Sequence, residues 1–123
     1  MRKASSVIAL AALATAEALV GSARAYCIAT MTEIYETLKA GEPLSLAQRA
    51  LYRLAIVHAH RAAVEATNLL FQTAGASAAR IPNRLERAFR DVQVANQHHV
   101  ASGKVYEITG GMLLGVPPAE PLF

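Results

Sequence analysis

Histidine is the residue type here best suited to metal binding or proton transfer, and its four copies form two close pairs, His58/His60 and His98/His99. Two histidines on one helix can chelate a metal ion when they are three or four residues apart, because both rings then share a face. Neither pair has that spacing, so we predict no metal site. Asp91 and His98 are seven residues apart, which is two turns along one helical face. They cannot touch at that distance, but both could point into one cleft.

Arginines gather just before this region, and the residues alone leave two interpretations open. On a helix they would surround the first turn, where free N–H groups and the positive end of the helix dipole favour anions. They could equally form a solvated basic face with Glu86 and Asp91 as partners. The four are Arg80, Arg84, Arg87 and Arg90.

The composition excludes several classes of protein. The chain has 123 residues, of which 54% are hydrophobic and 17% charged, so it is long enough for one domain with a modest core and is not a disordered polymer. Alanine supplies 26 residues and tryptophan none, which favours helices over a β-sandwich or barrel. A single cysteine, Cys27, excludes an internal disulfide framework. The net charge of +3 is small, and we expect no nucleic-acid partner.

The elements that must position these residues are predicted to be three long helices, over residues 5–39, 45–74 and 84–109. An apolar stripe with steps of three and four residues defines the first, and Gly41 with Pro43 ends it. Ser45 and Gln48 form a capping box that begins the second helix. Asn83 and Glu86 have the same spacing and are predicted to cap the third helix, which frays near Gly103 or continues to Gly110. The first stripe comprises Leu13, Ala16, Val20, Ala23, Cys27, Met31, Ile34 and Leu38.

Helices of this length in so short a chain predict an all-α fold. We expect three long antiparallel helices of an incomplete up-down four-helix bundle, followed by an irregular proline-rich tail from Val116 to Pro121.

The N-terminal segment can alternatively be interpreted as a secretory signal sequence. Ala23-Arg24-Ala25 has the form of a cleavage site, and cleavage there would give an exported helical protein beginning at Tyr26. Against it, Glu17 interrupts the apolar region, and the helical pattern continues past the motif. The uninterrupted apolar run from Val7 to Ala14 is shorter than the ~18–20 residues of a membrane span, so we expect a cytoplasmic protein without a membrane partner.

Several ordered motifs resemble the C-terminal helical domain of the acyl-CoA dehydrogenase superfamily, which includes two-component flavin monooxygenases. The most specific stretch runs from Arg87 to His98. It is preceded by the Gly41–Ser45 linker, by Arg53-Leu54-Ala55 and by a small-residue loop over 74–78. The ending Tyr106-Glu107, Gly110-Gly111 and Leu114-Gly115 is also similar. The tail departs at Gly111, where the family often has arginine, and the loop departs at Ala76, where many members have a second glycine.

The resemblance implies specific site residues. The loop Gly75-Ala76-Ser77 corresponds to the place where the backbone of these proteins approaches the flavin phosphates, for which small residues are suited. His98 corresponds to a histidine that monooxygenase members hold beside the flavin ring, as a base or a hydrogen-bond partner. Glu107 is a candidate acid by residue type alone. The implied cofactor is a flavin, with FAD favoured over FMN, bound only in a complete protein or assembly.

The resemblance also implies that the chain is part of a larger architecture. Family enzymes are about three times longer, and this chain corresponds to the last three bundle helices, without the N-terminal domain or the middle β-domain. We therefore expect the C-terminal bundle of a flavin-dependent oxidoreductase, inactive alone, in a homo-oligomer and with a reductase partner in the monooxygenase branch. The alternative is a small helical self-association or partner-binding module without catalysis.

Overall fold

The computed structural model describes residues 2–75 and 84–119, and within these ranges all regular structure is helical. The helices are α1 (Arg2–Lys39), α2 (Leu46–Ala74), α3 (Arg84–Ala95) and α4 (Lys104–Leu113), with a 3₁₀ turn at His99–Ala101 between the last two. The all-α bundle predicted from the sequence is confirmed. The proline-rich tail is irregular as far as the structure describes it.

Alanine determines how closely α1 and α2 pack. The two helices run antiparallel, so that Thr37 lies beside Gln48 near the turn and the Cys27 thiol donates to the Ala55 carbonyl at 3.4 Å midway along. Small side chains allow two helix backbones to approach closely and still exclude water. The buried residues that the two helices bring together include Ala16 and Ala23 on α1 and Ala55, Ala62 and Ala66 on α2.

The predicted stripe of α1 is only partly the buried face. Ala16 and Ala23 are buried as expected, but the large members Leu13, Val20 and Met31 are about half exposed. The expectation was wrong for these residues because the apolar pattern of α1 is wider than one helix can cover. Alanine contacts α2, and the bulkier side chains flank that contact and face outward.

The predicted turn and cap between these helices are confirmed. Gly41 ends α1 with φ of +76°, a left-handed conformation that favours glycine. The Ser45 hydroxyl accepts from the Gln48 N–H at 3.0 Å, and the Gln48 side chain accepts from the Ser45 N–H at 2.9 Å. The Gln48 amide also donates to Thr37 at 2.8 Å, so the cap holds α2 against the end of α1.

The third predicted helix, 84–109, is wrong as a single element because the structure divides it into α3, the 3₁₀ turn and α4. The chain is extended at His98, with φ of −63° and ψ of 143°, and its ring caps the following turn. Asparagine and glycine have low helix propensity, and Asn96 and Gly103 bracket the interruption. The helical pattern resumes in α4, where Val105, Thr109 and Met112 are buried against α2.

Helix α3 packs on α2 and is joined to it by two identified side-chain contacts. The Phe71 and Phe89 rings stack with centroids 4.6 Å apart and planes 24° apart. The Gln93 amide donates to the Asn68 side-chain oxygen at 3.1 Å. No residue of α3 is buried, so these side-chain contacts add to an otherwise shallow packing of α3 on α2.

The part of α1 from Ser6 to Lys39 is long and apolar enough to cross a membrane, judged by length and composition alone. Only 17% of its most apolar window is buried. Core helices of soluble proteins and signal sequences can be equally long and apolar, so the expectation of no membrane partner stays a prediction. The Ala23-Arg24-Ala25 sequence lies near the middle of this helix, and Ala23 packs against α2.

The close approach of α1 and α2 predicts that a bulky side chain at Ala62 destabilises the fold. Ala62 is 2% exposed, so Ala62→Leu would force the helices apart and lower the free energy of unfolding by about 1–3 kcal/mol. Urea denaturation followed by far-UV circular dichroism measures this. Ala18→Leu, on the exposed side of α1, is the matched control and is expected to change stability little. Equal losses in both variants would contradict alanine packing.

The stacked rings predict that α3 depends on Phe89. Phe89→Ala removes the stack and is expected to lower the free energy of unfolding by about 2–4 kcal/mol and to reduce the helical signal. Val94→Ala, on the same helix with Val94 73% exposed, is the control and should stay close to the unmodified chain. If Phe89→Ala kept full helicity and stability, the stack would not anchor α3.

Candidate functional site

A large cleft in the described part of the chain lies between α2 and the connection from α3 to α4. Its volume is about 910 Å³. Its walls are polar and apolar in similar measure, which suits a ligand with a ring system and a polar edge. It is lined by Arg61, Val64, Glu65, Asn68, Leu69 and Gln72 of α2, and by Asn96, Gln97, His98, His99, Ala101, Ser102 and Gly103 of the connection.

The α2 wall is organised by two contacts with the second half of the chain. The Asn68 oxygen is engaged by the Gln93 amide, which leaves the Asn68 amide group turned to other partners. The Arg61 guanidinium lies over the Tyr106 ring, 4.5 Å from its centroid. This cation–π contact holds the positive charge of Arg61 at the edge of the cleft, beside Gly103.

Asn96 presents a buried acceptor to the site. Its Oδ1 atom is buried and has no hydrogen-bond partner among the described atoms. Buried polar atoms are normally paired, because leaving one unpaired costs about 1–3 kcal/mol. This acceptor is therefore a candidate contact for a bound molecule that donates a hydrogen bond.

His98 lies at the lip of the cleft, where the interrupted helix exposes it. The Val100 N–H donates to His98 Nδ1 over a long 3.4 Å, and the ring lies 4.3 Å from that of His99, tilted by 36°. When the ring is neutral, this contact favours the tautomer of His98 that carries its proton on Nε2. The side chain can thus donate from Nε2 and exchange a proton there.

The predicted phosphate loop is described only at its first residue. Gly75 ends α2 with φ of +64°, and its N–H donates to the Gln72 carbonyl. The Gly75 N–H is therefore already hydrogen-bonded within the protein, and the role of Gly75 is to form the turn. Ala76 and Ser77 lie outside the described residues. Gln72, one turn before Gly75, lines the same cleft as His98, so the cleft extends towards this loop.

Other charged candidates lie away from the cleft. Asp91 pairs with Arg87 at 3.7 Å, and Glu86 pairs with Arg90 at 2.7 Å, all on α3. Arg87 and Arg90 thus belong to the solvated face rather than to an anion site, and Asp91 does not share a cleft with His98. Arg80 lies outside the described residues. Glu107 is exposed on α4 and does not line the cleft.

The sequence pattern did not identify the amide residues of the site. Asn68 and Gln72 are on α2, one turn apart on a face that only the folded chain brings opposite His98. Asn96 lies two residues before His98 within the same recognised motif. This position was the feature of the sequence that could have indicated Asn96 as a site residue.

Comparison with known proteins gives a consistent family assignment. Residues 2–103 match the acyl-CoA dehydrogenase C-terminal domain family. An indole-3-acetate monooxygenase from Pseudomonas putida is 31% identical over 86% of this chain. A pigment production hydroxylase from Rhodococcus erythropolis is 30% identical over 92% of it.

A solved structure supports the same family assignment. The 3-HSA hydroxylase from Rhodococcus sp. RHA1 superposes on 91% of this chain with a TM-score of 0.86 and 25% identity. The chain spans 27% and 29% of the two relatives and 30% of the solved hydroxylase. It therefore corresponds to less than a third of each. The family match over residues 2–103 and the agreement in fold confirm the resemblance carried by the motifs, and this chain belongs to the acyl-CoA dehydrogenase C-terminal domain family.

Proposed function

We propose that this chain is the C-terminal bundle of a flavin-dependent monooxygenase and contributes one wall of its flavin site. The observation that carries the proposal is the cleft that brings His98 opposite the polar face of α2, in a chain whose relatives are a monooxygenase and hydroxylases. A location in the cytoplasm stays part of this proposal.

The cleft suits a flavin ring in size and donor set. Its volume of about 910 Å³ lies within the ~300–1,000 Å³ typical of ligand sites. A flavin ring has a polar edge of alternating donors and acceptors. The amide groups of Asn68 and Gln72 and the unpaired Asn96 oxygen provide both kinds of partner. FAD is favoured over FMN only by the family resemblance.

Each residue would have a distinct role. The flavin supplies the electron-transfer and oxygen-activating chemistry when it is bound. Asn96 would accept a hydrogen bond from the ring edge and fix its orientation. His98 would donate from Nε2, or hold and return a proton there, while the Val100 N–H on Nδ1 keeps the ring in that tautomer. Gly75 would provide the turn that leads the backbone of residues 76 and 77 towards the phosphates.

The proposal includes inactivity of the chain alone. The cleft is open to solvent, and the chain spans less than a third of its relatives. Oxygen chemistry on a flavin requires a site from which water is excluded, and one wall does not exclude it. We propose that the remaining walls come from other domains or subunits and that a separate reductase supplies reduced flavin.

Weak but localised flavin binding is the expected behaviour of the purified chain. In an NMR titration with FAD and FMN, the amide signals of Gln72, Asn96 and His98 should shift. His98→Ala should weaken binding about fivefold, the equivalent of one hydrogen bond. His60→Ala is the matched control, because His60 does not line the cleft and its Nδ1 is bonded to the Ile56 carbonyl of its own helix, and it should bind as the unmodified chain does.

Two results would contradict the proposal. Flavin-induced shifts confined to residues outside the cleft would contradict the assignment of the site. An equal loss of flavin affinity in the two histidine variants would contradict a specific role of His98. Separately, the chain should form no product from indole-3-acetate with reduced flavin and oxygen above the rate without protein. Product above that rate would refute inactivity and leave the site assignment standing.

A further inference from the structure

Gln93 lies behind the cleft and contacts one of its walls. It is partly buried on α3 and is not among the residues that line the cleft. Its Nε2 group donates to the Asn68 Oδ1 atom at 3.1 Å, and this bond joins α3 to the α2 wall. Within residues 2–75 and 84–119, this is the hydrogen bond that the Asn68 side chain makes.

The bond with Gln93 determines which end of the Asn68 amide is left for the cleft. A side-chain amide carries an acceptor oxygen and a donor NH₂ group on opposite sides of one carbon atom. Because the Asn68 oxygen is held by Gln93, the NH₂ group is the end available in the cleft that Asn68 lines. Asn68 therefore presents a hydrogen-bond donor to a bound molecule.

Asn96 presents an acceptor close to that donor. Its backbone N–H bonds to the Val92 carbonyl at 2.9 Å, so the helical path continues to Asn96, which lies one turn after Gln93 on the same face. Its Oδ1 atom is buried without a partner among the described atoms, and Asn96 lines the cleft. Since Asn68 contacts Gln93, the donor and the acceptor lie within about one helical turn of each other.

We propose that the cleft recognises a ring edge in which a carbonyl group adjoins an N–H group, and that Gln93 sets this preference by fixing the direction of Asn68. Asn68 donates to the carbonyl oxygen, and Asn96 accepts from the N–H. A cyclic imide has such an edge, and the pyrimidine ring of a flavin contains one. The inference rests on the flavin site proposed above and identifies the part of the flavin that these residues bind. Gln93 is a positioning residue, because it acts through Asn68.

The two asparagines discriminate because a mismatched edge leaves their polar groups without partners. A ligand that lacks the N–H leaves the buried Asn96 Oδ1 atom unpaired. A ligand with a donor in place of the carbonyl sets that donor against the Asn68 NH₂ group, which disfavours it. Neither asparagine carries a charge, so the preference for the edge should be nearly independent of ionic strength.

Two ligands that differ at a single position test the recognition of the N–H without any change to the protein. FMN and its N3-methyl derivative share the phosphate, the ribityl chain and the ring system, and only FMN has the imide N–H. In NMR titrations the purified chain should bind FMN about tenfold more tightly, the equivalent of one buried hydrogen bond. Asn96→Leu keeps the side-chain volume and removes the acceptor, so this variant should bind the two ligands equally.

Replacing the donor of Gln93 by an acceptor tests its positioning role. Gln93→Glu offers Asn68 only oxygen atoms, so Asn68 should turn its NH₂ group to the new carboxylate and its oxygen to the cleft. The affinity for FMN should fall about fivefold or more. FMN should shift the side-chain NH₂ signals of Asn68 in the unmodified chain but not in this variant. Val94→Glu adds the same charge to α3 at a 73% exposed position and, as the matched control, should bind FMN like the unmodified chain.

The possible outcomes separate this inference from the proposed flavin site. If FMN and its N3-methyl derivative bound with equal affinity and both shifted the cleft signals, recognition of the imide edge would be overturned and the flavin wall would stand. Shifts of the Asn68 NH₂ signals that persist in Gln93→Glu would overturn the role of Gln93, and a preference for FMN that persists in Asn96→Leu would overturn that of Asn96. Far-UV circular dichroism checks that each variant keeps its helices.

An adenine ring is the competing ligand, because its edge also offers an acceptor beside a donor. Titration with AMP covers this case. Tighter binding of AMP than of FMN, with shifts at Asn68 and Asn96, would overturn the assignment to an imide edge. FMN shifts confined to residues outside the cleft would overturn both the flavin site and this inference.

Discussion

The close approach of α1 and α2 through alanine is the contact on which the rest of the domain depends. Small side chains at Ala16, Ala23, Ala62 and Ala66 let the two longest helices pack closely against each other. With little bulk between them, they form a stiff antiparallel pair but bury few large side chains. On α2, Arg53 of the Arg53-Leu54-Ala55 motif is buried, and burial lowers the pKa of its guanidinium. Helix α2 then serves as the surface on which α3 and α4 pack.

Local signals predicted the parts of the fold that depend on local chemistry. Gly41 and the Ser45–Gln48 box mark the turn because a left-handed residue and a reciprocal cap are needed there and few residue types provide them. The face of α1 that packs was harder to predict, because Leu13 and Ala16 fit the same period. Only the partner helix decides that Ala16 is buried and Leu13 is not. The break after α3 was missed because Asn96 and His98 are tolerated in helices, and the caps that stabilise the break form only when it exists.

The candidate site also divides into a part that the sequence indicated and a part that only the folded chain brings together. His98 was identified through a motif, and the structure supplies a reason for its exposure, since the helix stops just before it. The α2 side of the cleft could not be predicted, because Asn68 and Gln72 look like ordinary polar positions of an amphipathic helix. Their placement depends on the Phe71–Phe89 stack and the Gln93–Asn68 hydrogen bond, which join residues far apart in sequence.

The sparse attachment of α3 has a consequence for how the domain opens. Proteins unfold locally in units whose free energies of opening reflect the apolar area each unit buries. Helix α3 buries no residue completely, whereas α1 and α2 share a continuous interface. We therefore expect the segment leading to His98 to open at a lower free energy than the α2 wall. Opening of this kind would separate the two sides of the cleft while α1 and α2 stay packed, and it would give the flavin proposed above a route in and out.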